Sequence, residues 1–125
     1  VSGAYDQESD GASWWYWVAR KVSFRLEAFY VDKEPARSKL RFESGMRSPQ
    51  TLSVVIRTID GKSLSYSISS DAAEYTVYEK LIDLPPSQLS EISIETDGEA
   101  TRLGDKDARV AAFILRNLAI VPANM

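Results

Sequence analysis

The sequence predicts an all-β protein, an antiparallel β-sandwich of about eight strands and of jelly-roll type. Three observations predict it. Apolar and polar residues alternate with period two through most of the chain. Turn-forming residues recur roughly every 8–12 positions. Two β-rich runs flank Asp60-Gly61, a dipeptide suited to the positive φ values of a tight hairpin.

The first element is the stretch SWWYW, Ser13 to Trp17, which holds all three tryptophans and one of the six tyrosines. Strand geometry sends Trp15 and Trp17 to one face and Trp14 and Tyr16 to the other. In KVSFRLEAFY the apolar positions are Val22, Phe24, Leu26, Ala28 and Tyr30, as in a half-buried strand. VDKEPAR, with Pro35 and its charges, reads as a loop, SKLRFES as a strand through Leu40 and Phe42, and GMRSP as a connection. Leu52, Val54 and Ile56 share a face before the hairpin, and Leu64, Tyr66 and Ile68 alternate after it. SSDAAE is a loop; YTVYEKLIDL is a strand with Tyr75, Val77 and Leu81 expected inward, ended by Pro85-Pro86.

PPSQLSEI has room for a short helical turn, SEISIETDG places Ile92 and Ile94 on a strand, and Asp97-Gly98 turns. ATRLGDKDAR reads as polar and irregular. VAAFILRNLAIV tolerates a helix, but its β-branched ends favour a strand, bulged near Asn117.

With 125 residues the chain is expected to be one domain, residues 1–125, cut from a longer protein. A net charge of −3 and scattered basic residues (Arg20, Lys21, Arg25, Lys39, Arg41, Arg47, Arg57) argue against nucleic-acid binding. No apolar run approaches the roughly 18–20 residues that span a bilayer. The lack of cysteine removes disulfides and thiolate chemistry, and fits a reducing compartment. The lack of histidine removes the usual general base and the commonest transition-metal ligand. No Ser-His-Asp or Cys-His site can be built from this chain, and it is expected not to be an enzyme. Eighteen Asp and Glu residues always offer some pair, so a hydrolytic carboxylate pair is not indicated by their number.

Two segments carry a further signal. GAYDQESDGASWWYWVARKVSFRL has Gly-x-Tyr, an acidic residue and Trp-x-Trp before a strand; GEATRLGDKDARVAAFILRNLAI has Asp-x-Arg followed by an aromatic-bearing final strand. Together these resemble the small β-sandwich accessory modules attached to bacterial cell-envelope glycosyltransferases and polysaccharide-assembly proteins. The resemblance runs from Gly3 to Val121 and rests on short motifs: Tyr5, Glu8, Trp15, Trp17, Asp107, Arg109 and Phe113. It implies a sugar-binding or positioning module, with catalysis on a separate domain of the parent glycosyltransferase. Trp14 and Tyr16 are not part of the shared pattern.

The candidate carbohydrate-binding residues are therefore Trp14, Trp15, Tyr16, Trp17, Glu8, Asp107 and Arg109. An indole plane suits the apolar face of a sugar ring, and carboxylates and guanidinium groups suit its hydroxyls. Against this stands burial of both ring pairs, one in the sandwich and one beneath the amino-terminal loop. Arg109 can fork onto Glu8 or a neighbouring carboxylate, bracing the last strand against that loop, or present a planar donor to a sugar; the structural ion pair is favoured. No cofactor is expected. Asp6, Glu8 and Asp10 alternate as structural calcium ligands would, but fit no defined loop, and a solvated acidic loop is the plainer reading.

The resulting expectation is a non-catalytic module that holds or positions a bacterial envelope glycan for an attached glycosyltransferase. Its partners would be the glycan and the parent's catalytic domain, and its place the cytoplasm, at the inner face of the membrane through the parent protein. The alternative is a protein-interaction, scaffolding or homodimerisation domain.

Overall fold

The computed structural model describes residues 2–26, 37–70 and 75–123. Along the chain run β1 (Ser2–Ala4), β2 (Glu8–Ser9), β3 (Trp14–Arg25), β4 (Ser38–Met46), β5 (Gln50–Thr58), β6 (Ser63–Ser70) and β7 (Thr76–Ile82). A 3-10 turn, Pro86–Gln88, precedes β8 (Leu89–Thr96), β9 (Thr101–Gly104), β10 (Asp107–Ala111) and β11 (Phe113–Pro122). The expected positions Ala28 and Tyr30 and most of the VDKEPAR and SSDAAE loops lie outside the described residues. Among those described, no helix is long and apolar enough to cross a membrane.

The strands are hydrogen-bonded in the order β6-β5-β8-β3-β11-β4-β7, and every pairing is antiparallel. β3 belongs to both layers of the sandwich. Its residues Trp15 to Val18 pair with β11, and Lys21 to Arg25 pair with β8. A straight strand would separate Tyr16 from Phe24 by roughly 26 Å, yet their ring centroids are 5.5 Å apart. The strand therefore bends sharply between Val18 and Val22 as it passes from one layer to the other. β1 follows the bend: Ala4 lies opposite Val18, and Ser2 opposite Ser23. Gly3 between them has φ 88°, and a Cβ there would stand 2.1 Å from the Lys21 carbonyl oxygen. Only glycine fits.

The core lies between the layers. Leu52, Val54 and Ile56 of β5 and Ile92 and Ile94 of β8 meet Leu40 and Phe42 of β4 and Phe113 and Leu115 of β11. Burial of each such side chain contributes about 1.5–3 kcal/mol. The alternation that marked these strands in the sequence is the alternation of their buried positions.

Four local expectations are refined. Tyr75, Val77 and Leu81 are 47%, 46% and 45% exposed, so β7 is turned by one residue from the expected orientation. Both of its faces carry apolar residues, and its partner decides: Phe42 and Leu40 face inward opposite Tyr78 and Lys80. Residues 101–111 are not irregular but form the hairpin β9–β10, whose turn carbonyls at Asp105 and Asp107 accept from the Arg102 guanidinium. At the Asp60-Gly61 hairpin only Gly61 has positive φ; the Gly61 N–H bonds to Thr58 O and the Thr58 N–H to Lys62 O. That is the longer loop built on an ordinary turn followed by one left-handed residue. Gly45 and Met46, expected in a connection, complete β4.

The last apolar run is a strand with a bulge at Asn117, where φ is 52°. One extra residue sits between the pairs Arg116–Glu43 and Ala119–Arg41, so the inward parity changes. Phe113 and Leu115 point inward before the bulge, Leu118 and Ile120 after it.

Candidate functional site

The four rings of SWWYW are all half-buried, and the two faces of β3 treat them differently. On the outer face Glu8 lies opposite Trp15 in the β2–β3 pairing. The Trp15 Nε1–H donates to Glu8 Oε2 at 2.6 Å. Glu8 Oε1 accepts from Arg109 Nη1 at 2.9 Å. Arg109 also forks onto Asp107, two residues back on the same face of β10, with Nη2 at 2.8 Å from Oδ2 and Nε at 3.1 Å from Oδ1. The guanidinium lies over the Tyr5 ring at 5.5 Å, and the Tyr5 hydroxyl accepts the Val110 N–H.

Burial works against the charge on Glu8, but the hydrogen bonds from Arg109 and Trp15, with a smaller one from Trp17, outweigh it and hold its pKa below the usual carboxylate value. The Arg109 guanidinium likewise lowers Asp107, and Asp107 and then Glu8 raise Arg109. Tyr5, Glu8, Trp15, Trp17, Asp107 and Arg109 thus form one clamp that fastens the amino-terminal segment and β10 onto β3. Its polar groups are largely occupied by one another. Phe113, the remaining residue of the shared pattern, is fully buried in the core.

Asp6, Glu8 and Asp10 do not converge. Asp10 accepts the Ala12 and Ser13 N–H groups at 2.9 and 2.7 Å and so closes the β2–β3 turn, while Glu8 is held by Arg109. Among the described residues no three acidic side chains gather as a metal would require.

On the other face Trp14, Tyr16 and Phe24 stack edge to face, with centroid distances of 5.6 and 5.5 Å and interplanar angles of 78° and 71°. They line an open cleft of about 270 Å³ that Gln7, Arg25 and Leu118 border. The volume lies just under the range of about 300–1,000 Å³ usual for ligand pockets. It admits one small ligand or one residue of a polymer.

Two features shape this cleft. The bend in β3 brings the Tyr16 and Phe24 rings into edge-to-face contact across the layers. The β11 bulge turns Leu118 toward them, and its Asn117 side-chain oxygen accepts the Trp14 backbone N–H at 3.1 Å. Asn117 Nδ2 in turn donates to Glu43 at 2.7 Å and, with Arg116, holds that carboxylate below its usual pKa. Gln7, Phe24, Arg25 and Leu118 were not among the sequence candidates. Phe24 read as core, and nothing in the local pattern places Arg25 at the same cleft as Trp14.

No protein-family model matches this sequence, and no curated protein sequence matches it. Solved structures do resemble it. One described as CBM4 superimposes with a TM-score of 0.56 at 13% identity, covering 96% of this chain and 77% of that one. The carbohydrate-binding module 6cm-2 of lichenase 5A from Cellvibrio mixtus, solved with cellotriose, gives 0.55 at 12% identity over 98% and 89% of the two chains. A family 29 carbohydrate-binding module variant gives 0.53 at 15% identity over 95% and 76%. At these identities the likeness is one of fold: the chain has the β-sandwich architecture of these modules.

Proposed function

We propose that this domain is a non-catalytic carbohydrate-binding module that receives a sugar ring in the cleft of Trp14 and Tyr16. The observation that carries the reading is the division of the four rings. The outer pair is fastened beneath a self-satisfied clamp, whereas the inner pair lines a cleft. An aromatic wall offers a sugar its C–H face, and Gln7 and Arg25 supply donors at the rim. The likeness in fold to carbohydrate-binding modules supports it. Asp107, Arg109, Glu8, Trp15 and Trp17 enter as the frame of the site. One small contact area implies weak affinity, in the range of about 1 µM to 1 mM.

The resemblance of the two ends to glycosyltransferase-associated modules gives the finer reading. The glycan would be a bacterial envelope polysaccharide under assembly, held for a catalytic domain of the same protein at the cytoplasmic side of the membrane. Calorimetric titration with envelope polysaccharide fragments tests this. Binding that is lost in Trp14→Ala and retained in Trp15→Phe supports the cleft; binding indifferent to Trp14 contradicts it.

One observation favours a second reading, a contact with the parent enzyme or another copy. Val77 and Leu81 on β7, with Tyr75 just before it, form an exposed row at one end of the strand order. Sedimentation that shows a concentration-dependent dimer, together with no glycan binding, would favour it.

A further inference from the structure

We infer that the sugar taken by the cleft is an acidic one, carrying a carboxylate or phosphate that Arg25 receives. The inference rests on the carbohydrate reading above and names the chemistry of its ligand. Trp14, Tyr16, Phe24 and Leu118 give the cleft its apolar walls, Gln7 adds a neutral amide, and among the described residues Arg25 is the one charged residue lining it. No carboxylate lines it among the described residues.

Among the described residues, several acidic groups near the cleft are engaged by other partners. Glu8 is bound by Arg109 and Trp15, and Glu43 by Asn117 and Arg116. Glu91 of β8, directly opposite Arg25 in the β3–β8 pairing, accepts the Ser93 hydroxyl at 3.1 Å. Among the described residues Arg25 makes no ion pair, which leaves its guanidinium fork open to an anion. That fork matches a carboxylate or phosphate in two parallel hydrogen bonds, and a neutral hydroxyl in only one.

The test is titration calorimetry at low salt with matched ligands: glucuronic- and galacturonic-acid oligosaccharides, their neutral glucose and galactose counterparts, and glucose 6-phosphate. The same series is run on Arg25→Gln, Arg25→Lys and Trp14→Ala. Arg25 is exposed, so its variants are expected to fold, and circular dichroism checks this. The expected result is binding of an acidic ligand at least about tenfold tighter than its neutral counterpart, a preference removed by Arg25→Gln and partly kept by Arg25→Lys. Whether the uronate or the phosphate gains more identifies the anion. Equal binding of neutral and acidic sugars, still abolished by Trp14→Ala, overturns the acidic preference and leaves the carbohydrate reading standing. Absence of any binding, or binding unaffected by Trp14→Ala, overturns both.

Discussion

Trp14 and Asn117, 103 residues apart in the chain, are joined by a hydrogen bond from the Trp14 backbone N–H to the Asn117 side-chain oxygen, 3.1 Å long. Asn117 is the one described residue other than glycine with positive φ, 52°. A side-chain amide that tolerates this backbone shape holds the bulge, and the bulge holds the aromatic wall. Asn117→Ala keeps the backbone strain and loses the amide contacts to Trp14, Ser13 and Glu43, and is expected to cost about 2–3 kcal/mol in urea denaturation. Asn117→Gly relieves the strain and should cost about 1 kcal/mol. Equal losses would show that the backbone shape there is not what asparagine supplies.

Gly3 makes a sharper case. A Cβ at this position meets a backbone carbonyl rather than a flexible side chain, so β1 cannot adjust around it. Gly3→Ala is expected to release β1 from β3 while the core stays folded. Hydrogen exchange checks this at the Tyr5 N–H, bonded to Trp17 O at 3.2 Å: its protection should fall, while that of the Ile92 and Ile94 amides stays high.

The clamp predicts a pH dependence. Glu8 and Asp107 have ordinary values of 4.5 and 3.8, and both are held lower in the folded domain. The unfolded chain therefore takes up protons first as pH falls. The clamp's stabilisation is complete above about pH 5, shrinks below the ordinary values, and is gone below the folded ones. Thermal midpoints measured between about pH 3 and 6 should fall with acid, and Arg109→Met should flatten that slope. An unchanged slope would mean that the clamp carries no stability.

Phe113 is one of the residues on which the resemblance of the two chain ends to accessory modules rests, and it is fully buried between the layers. Phe113→Ala is expected to destabilise by about 3–5 kcal/mol. At temperatures where the variant remains folded, its sugar affinity should be unchanged. A selective loss of affinity in a fully folded variant would contradict a purely packing role.

Most of the fold was legible because burial has period two in strands, and Leu52, Val54, Ile56, Ile92 and Ile94 obey it without ambiguity. β7 did not, since Val77 and Leu81 alternate as regularly as Tyr78 and Ile82, and only pairing with β4 selects between them. The division of SWWYW into two faces also followed from strand geometry, as did a bulge near Asn117. The clamp's residues stand out through the resemblance of the two chain ends, and an ion pair of Arg109 with Glu8 through their charges; the β2–β3 pairing that sets Glu8 opposite Trp15 was not legible, since the acidic lead-in reads as a loop. The cleft was not legible either. It depends on a sharp bend in β3 and on a parity change in β11, and these bring Phe24, Arg25 and Leu118 beside Trp14 through tertiary packing alone.

The three tryptophans offer the most direct test. In a nitrogen-15 correlation spectrum each indole N–H gives its own signal, assigned by single Trp→Phe variants. On titration with an acidic oligosaccharide, the Trp14 indole should shift and saturate, while those of Trp15, bonded to Glu8, and Trp17 stay in place. Shifts at Trp15 and Trp17 with Trp14 unmoved would contradict the account and put the ligand on the other face of β3.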